Sequence, residues 1–227
     1  MRLVGVDRRA EALGLFVGMA LADARAQVPD LADAPHNPPA DQDWLDRLAQ
    51  GCGRYTPLVA LDPPDGLILD ISGCAHLFGG EAGLIADLET RIARLGMTLR
   101  HASAGSPDAA RALARHQALP APDEAAAIRR LPVAALGLEE EAVTALVRAG
   151  LRTIGDLGAR PMANVAARFG ADAATALRRI LGDAPSPLSP RQTVAAKEGS
   201  AEMPPALAAP HQLLDRFPGQ FGQDPGG

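Results

Sequence analysis

Pro64-Asp65-Gly66-Leu67-Ile68-Leu69-Asp70-Ile71-Ser72-Gly73 is the stretch on which the fold turns. Asp65-Gly66 suits a tight turn, and Leu67–Ile71 is a short apolar run of the kind that fits a pleated, half-buried surface. Thr56–Leu61 has the same character, and Asp62-Pro63-Pro64-Asp65-Gly66 separates the two runs. The segment therefore predicts a strand-turn-strand unit.

Working outward, Gly80 to Leu95 predicts a helix closed by Gly96, and Met97 to Ala104 predicts a further strand. Pro107 opens another helix, with Ala109 to His116 as its body, because proline is tolerated where no intrahelical N–H is needed. Upstream, residues 8–27 carry apolar positions at helical spacing interrupted by Gly14 and Gly18, which predicts two short helices around a turn. Pro29 ends the second. Ala34 to Gln42 reads as a surface loop, and Trp44, Leu45 and Leu48 begin a helix that runs toward Gly51. Beyond Pro120-Ala121-Pro122 the pattern is helical and short-turned, over Leu131–Leu136, Glu139–Ala149, Thr153–Leu157, Met162–Phe169 and Asp172–Leu181. From Pro185 on, Pro, Ala, Gly and Gln dominate without periodicity, a composition that reads as largely disordered.

Composition narrows the function classes. Hydrophobic residues make up 47% of the 227, but aromatics only 3%, so a core must be built mainly from Ala, Leu, Val and Ile. No run of about 18 apolar residues is present and the start has no signal-peptide h-region, so the chain reads as cytoplasmic with no membrane partner. Cys52 and Cys74 are too few for a disulfide framework, and both read as reduced core residues. The net charge of −5 opposes strong free-standing DNA binding. Its distribution is uneven: 11 Lys and Arg against 17 Asp and Glu over residues 1–128, nine against six over 129–192, and two against four over 193–227. Any nucleic-acid contact is expected in the middle segment, although ordinary surface variation gives such an imbalance too.

Three segments in order, Gly14–Ala24, Leu67–Gly73 and Gly150–Leu157, resemble the fingers, palm and thumb signatures of Y-family (UmuC/DinB-like) translesion DNA polymerases. The nearest resemblance is to the ImuB-type branch, through Cys52-Gly53-Arg54-Tyr55-Thr56-Pro57-Leu58-Val59 and Gly73-Cys74-Ala75-His76-Leu77-Phe78-Gly79-Gly80. The resemblance spans roughly residues 5–190. It implies an α+β fold: a partial palm and fingers with a mixed sheet over 1–118, a small all-α helix-hairpin-helix-like thumb over 119–184, and a disordered tail over 185–227. It also implies a chain truncated at both ends relative to the family.

Family chemistry is nucleotidyl transfer by two metal ions held by carboxylates. Registered on Leu69-Asp70, the family's Asp-Glu pair falls on Asp65 and Gly66, so Asp65 alone is retained as a metal-ligand position and its neighbour is lost. No counterpart of the first-strand Asp precedes Gly14. The triphosphate-contacting Tyr and Arg fall on Arg8 and Glu11, and a carboxylate there repels a triphosphate. The Asn-Lys element is replaced by Ser106-Pro107-Asp108. These departures predict a chain with no intact catalytic residue and no cofactor, Mg2+ being required only if it is catalytic. Asp62, Asp65 and Asp70 could collect a divalent ion or serve simply as turn formers.

In the thumb-like segment the hairpin register reads Gly137-Leu138-Glu139. Gly137 is kept for close approach of backbone amides to a phosphate, and the second glycine is an acid. Gly137, Arg148, Arg152, Arg178 and Arg179 are the candidate DNA-binding residues, for a weak contact. Cys74-Ala75-His76 reads as core rather than a zinc site. The resemblance implies a non-catalytic accessory protein of damage-induced (SOS) mutagenesis, a hub joining an error-prone replicative-type DNA polymerase, a RecA-like accessory protein and the sliding clamp. Gln212–Phe217 vaguely resembles a clamp-binding peptide. Two alternatives stay open: an active Y-family DNA polymerase with a misplaced start, and a stand-alone helix-hairpin-helix DNA-binding module.

Overall fold

The structure, a computed structural model, describes residues 1–117 and 119–187. Of the expected disordered tail over 185–227, the part from residue 188 on, with the Gln212–Phe217 stretch, lies outside the described residues. The described chain divides into two compact units, Met1–Gly51 and the residues from Cys52 onward.

In the first unit the N-terminus pairs with the segment ahead of the second helix. Leu3 N donates to Met19 O at 2.9 Å, Gly18 N to Leu3 O at 2.8 Å, and Arg2 forms an antiparallel bridge with Ala20. Helix α1 (Arg8–Ala12) is capped by Asp7, whose carboxylate accepts from Ala10 N at 2.7 Å. Gly14, at φ +86°, turns the chain toward α2 (Leu21–Gln27). A side chain at Gly14 would be strained there and its Cβ would come within 2.8 Å of the Gln27 amide nitrogen. Helix α3 (Pro38–Cys52) begins at Pro38 rather than at Trp44. Its prolines occupy first-turn positions that need no N–H partner, and the Asn37 side chain accepts from Ala40 N at 3.3 Å. The loop expected to reach Gln42 is correspondingly shorter.

The second unit opens with the strand-turn-strand unit. β1 (Val59–Asp62) and β2 (Gly66–Leu69) pair antiparallel in the register Val59↔Leu69 through Asp62↔Gly66. Among the described residues this two-stranded antiparallel ribbon is the whole sheet, where a mixed sheet was expected. Met97–Ala104, expected as a strand, runs as coil. Apolar β-favourable composition makes a strand only where a neighbouring edge completes a ladder.

Helices fill the remainder. α4 (Glu81–Arg94) follows a 3-10 turn at Ala75–Phe78. α5 (Pro107–His116) starts on Ser106, whose hydroxyl accepts from Ala109 N at 3.2 Å. α6 (Glu124–Arg130), not anticipated from the Pro-Ala-Pro break, is capped by Asp123 at 2.7 Å from Ala126 N. After a 3-10 turn at Val133–Leu136 come α7 (Glu140–Arg148), α8 (Ile154–Gly158), α9 (Met162–Phe169) and α10 (Ala171–Ile180). One apolar core joins α5 to these helices: Ala109, Ala112 and Leu113 pack with Ile128, Leu146, Ile154, Leu157, Val165, Leu177 and Ile180. Small residues on α5 let its backbone lie close to that core. Backbone bonds from Val133 N to Arg152 O (3.0 Å) and from Ile154 N to Leu131 O (2.9 Å) stitch the turns together. α8 begins in a capping box between Thr153 and Asp156.

The α+β class therefore holds, with helices dominating. Among the described residues no helix is long and apolar enough to cross a membrane. Leu157 is fully buried in the shared core. Leu157→Ala is expected to lower unfolding stability by about 2–5 kcal/mol, read as a shift of the urea midpoint at unchanged slope.

Candidate functional site: a carboxylate hairpin closed by arginines

The hairpin carries Asp62 at the end of β1, Asp65 in the turn and Asp70 just past β2. They do not converge on a shared point. The Asp70 carboxylate turns back onto its own backbone, accepting from Ser72 N at 2.9 Å, a bond that holds its pKa below the usual carboxylate value. Asp62 and Asp65 instead face α5. Arg115 donates through Nη1 to Asp65 Oδ1 at 2.7 Å and through Nη2 to Asp62 Oδ2 at 2.9 Å, with the Asp62 carbonyl at 3.3 Å from the same nitrogen. One turn earlier, Arg111 lies 3.8 Å from Asp62 and donates to Asp108 at 2.8 Å. Burial works against the charge on Arg115, but the bonds to Asp62 and Asp65 outweigh it and its pKa is raised.

The two arms of this clamp differ in strength. The Asp62 side chain is 17% exposed and that of Asp65 69%, with Arg115 at 34%. An exposed ion pair contributes little, whereas a partly buried, charge-assisted fork contributes more. Asp62 is thus the main anchor. Gly66 completes the arrangement by leaving room: a Cβ there would lie 2.8 Å from Arg115 Nη2 and 2.9 Å from both the carbonyl and the carboxylate oxygen of Asp62.

The Y-family resemblance implies divalent metal at this hairpin, and the residues present do not fit it. Mg2+ demands near-octahedral oxygen coordination with carboxylates free to approach it. Here Asp65 is held by a guanidinium, a side chain at the neighbouring position would collide with Arg115 and Asp62, and no group of three or more His, Cys, Asp or Glu among the described residues could hold a metal. Glu11 is an exposed residue of α1.

The candidate DNA-binding residues are spread over three places. Gly137, left-handed at φ +67°, follows the 3-10 turn and precedes α7, with Arg111 Nη2 3.6 Å from where its Cβ would stand. The helix arginines of α5 thus lie between the carboxylate hairpin and the Gly137 turn, two features separate in sequence. Arg148 ends α7 and Arg152 follows Gly150; both are exposed. On α10, Arg178 is exposed and donates to Asp183 O at 3.3 Å, whereas Arg179 is half-buried with its Nε enclosed and without a hydrogen-bond partner among the described residues.

The two motifs that carried the ImuB-type resemblance meet in space. Tyr55 and Phe78 pack ring to ring at 5.2 Å, and the Arg54 guanidinium lies 5.5 Å from the Tyr55 ring and 6.0 Å from the Phe78 ring. Tyr55 OH donates to Asp87 at 2.6 Å on α4, which also accepts from Arg91 Nε at 2.9 Å. The Tyr55 bond, more than Arg91, holds the Asp87 pKa down against partial desolvation. Burial, and then the Asp87 contact, push the Tyr55 hydroxyl pKa upward. Beside it, burial pushes the Cys52 thiol up to about 11, consistent with a reduced core residue.

Because the folded Asp87 pKa lies below the ordinary 3.8, its contribution is complete above that value and is lost as pH falls through the lower folded value. Asp87→Asn is therefore expected to flatten the acid limb of the stability-pH curve, measured by thermal unfolding between pH 2 and 6. Gly66→Ala is expected to destabilise by about 1–3 kcal/mol, since the strand backbone at Asp62 must move along with the arginine; chemical denaturation reads this directly.

No protein-family model matches the chain. ImuB proteins of two Caulobacter vibrioides strains, NA1000 / CB15N and ATCC 19089, are each 46% identical over 184 residues, 79% of this chain. The chain spans 40% of the length of these curated relatives. Among solved structures, the insertion ternary complex of Dbh DNA polymerase matches at TM-score 0.66 and 16% identity, over 80% of this chain and 56% of that one. DinB from Sulfolobus solfataricus matches at 0.63 and 17% over the same shares. A Y-family polymerase chimera built on Dbh matches at 0.68 and 17%, over 82% and 57%. Over 79% of its length the chain is homologous to ImuB, and it shares the fold of Y-family DNA polymerases.

Proposed function

We propose that this chain is a non-catalytic, Y-family polymerase-like accessory component of translesion synthesis in the DNA-damage (SOS) response, working through DNA and protein partners rather than by nucleotidyl transfer. The observation that carries the reading is the state of the hairpin: the one retained metal-ligand position is occupied by Arg115, and Gly66 has no room for the second carboxylate. A fold whose relatives are polymerases has kept the scaffold and given the carboxylates a different partner.

In this reading the helix-hairpin-helix-like segment touches DNA weakly. Gly137, Arg148, Arg152 and Arg178 are its available contacts, with Arg179 mainly structural because its guanidinium is partly enclosed. The protein partners are those of ImuB-type proteins: an error-prone replicative-type polymerase, a RecA-like accessory protein and the sliding clamp. The chain would act where such complexes form, in the cytoplasm.

Primer extension on a lesion-bearing template with Mg2+ or Mn2+ is expected to give no product. Extension that Asp65→Asn abolishes would establish an active polymerase instead. For DNA contact, fluorescence anisotropy with a primed duplex is expected to show binding that falls with salt. Arg148→Ala with Arg152→Ala should flatten the log-log salt slope by about 1 for each phosphate that is no longer neutralised; an unchanged slope would remove these arginines from the interface.

A further inference from the structure

The carboxylates of the hairpin belong to an alternating chain of charges that runs onto α5: Asp65, Arg115, Asp62, Arg111 and Asp108, ending on the Ser186 hydroxyl, which donates to Asp108 at 2.5 Å. Every acidic member has a guanidinium beside it. The guanidiniums project from the same helix whose opposite face, Ala109, Ala112 and Leu113, is buried in the helical core.

We propose that Arg115, supported by Arg111, is a built-in cation that closes the hairpin to divalent metal, so that Asp62 and Asp65 hold α5 in place of an ion. Three features fit together in this assignment. The fork of Arg115 spans two carboxylates at 2.7 and 2.9 Å, which a single ammonium cannot do with the same geometry. Gly66 is the residue that leaves space for Nη2. The cation is covalently fixed to a helix anchored by its apolar face, so it is present at full occupancy whatever the metal concentration. A side chain at position 66 and the guanidinium in this place exclude each other, because the guanidinium fills the volume that the side chain would need.

The test uses the full chain and Mn2+ as probe, read by paramagnetic broadening of backbone amide signals. In the wild type, the amides of residues 62 and 65–66 are expected to broaden no more than in Asp65→Asn. Arg115→Gln is expected to admit Mn2+, with selective signal loss at those amides that disappears in the Arg115→Gln/Asp65→Asn double variant. Wild-type broadening equal to that of Arg115→Gln, or an Arg115→Gln protein that is folded and silent, overturns the assignment. Should Arg115→Gln fail to fold, Arg115→Lys and Asp65→Asn are combined in a double-mutant cycle by urea unfolding. Effects that are less than additive uphold the tie, and strictly additive ones overturn it. The inference deepens the accessory reading and rests on the same hairpin: metal entry without primer extension overturns the clamp alone, whereas primer extension overturns the accessory reading itself.

Discussion

A two-stranded antiparallel ribbon is marginal in water by itself, so the hairpin Val59–Leu69 depends on what it leans against. That support is α5. The helix is two-sided in a literal sense: Ala109, Ala112 and Leu113 enter the helical core, and Arg111 and Arg115 reach out to the hairpin. Apolar burial fixes where α5 lies, and the fixed helix then presents its guanidiniums at a set height and angle. The electrostatic contact is therefore preorganised by packing, which is why long, flexible side chains can make short bonds without a large ordering cost.

Local pattern foretold some elements well and others not at all. Pro63-Pro64-Asp65-Gly66 between two apolar runs carries enough turn chemistry to specify the hairpin, and Ser106-Pro107 announces α5. The start of α6 carries a signal in Asp123, an N-cap residue, that went unread behind the Pro-Ala-Pro break. Met97–Ala104 shows the reverse error, a strand-like composition lacking a ladder. The clamp itself was out of reach: Arg115 and Asp65 are far apart in sequence, and arginine on an exposed helix face normally means only solvation. Its one trace was Gly66, legible as a lost carboxylate but not as space for an incoming side chain.

The ImuB-type resemblance rested on two motifs separate in sequence, and packing joins them in one cluster. Tyr55 and Phe78 come from separate motifs and share one ring contact, capped by Arg54 and tied through Asp87 to α4. These residues hold the hairpin's flank to the helix that follows it. Their contacts hold the scaffold together irrespective of any reaction.

The unequal exposure of the two arms of Arg115 makes the hairpin responsive to its ionic surroundings in a graded way. Mobile ions reach the Asp65 arm, and within a Debye length of about 8 Å at physiological ionic strength they screen it, whereas the Asp62 arm is shielded by its burial. Rising salt should loosen the tip of the turn while its base stays seated.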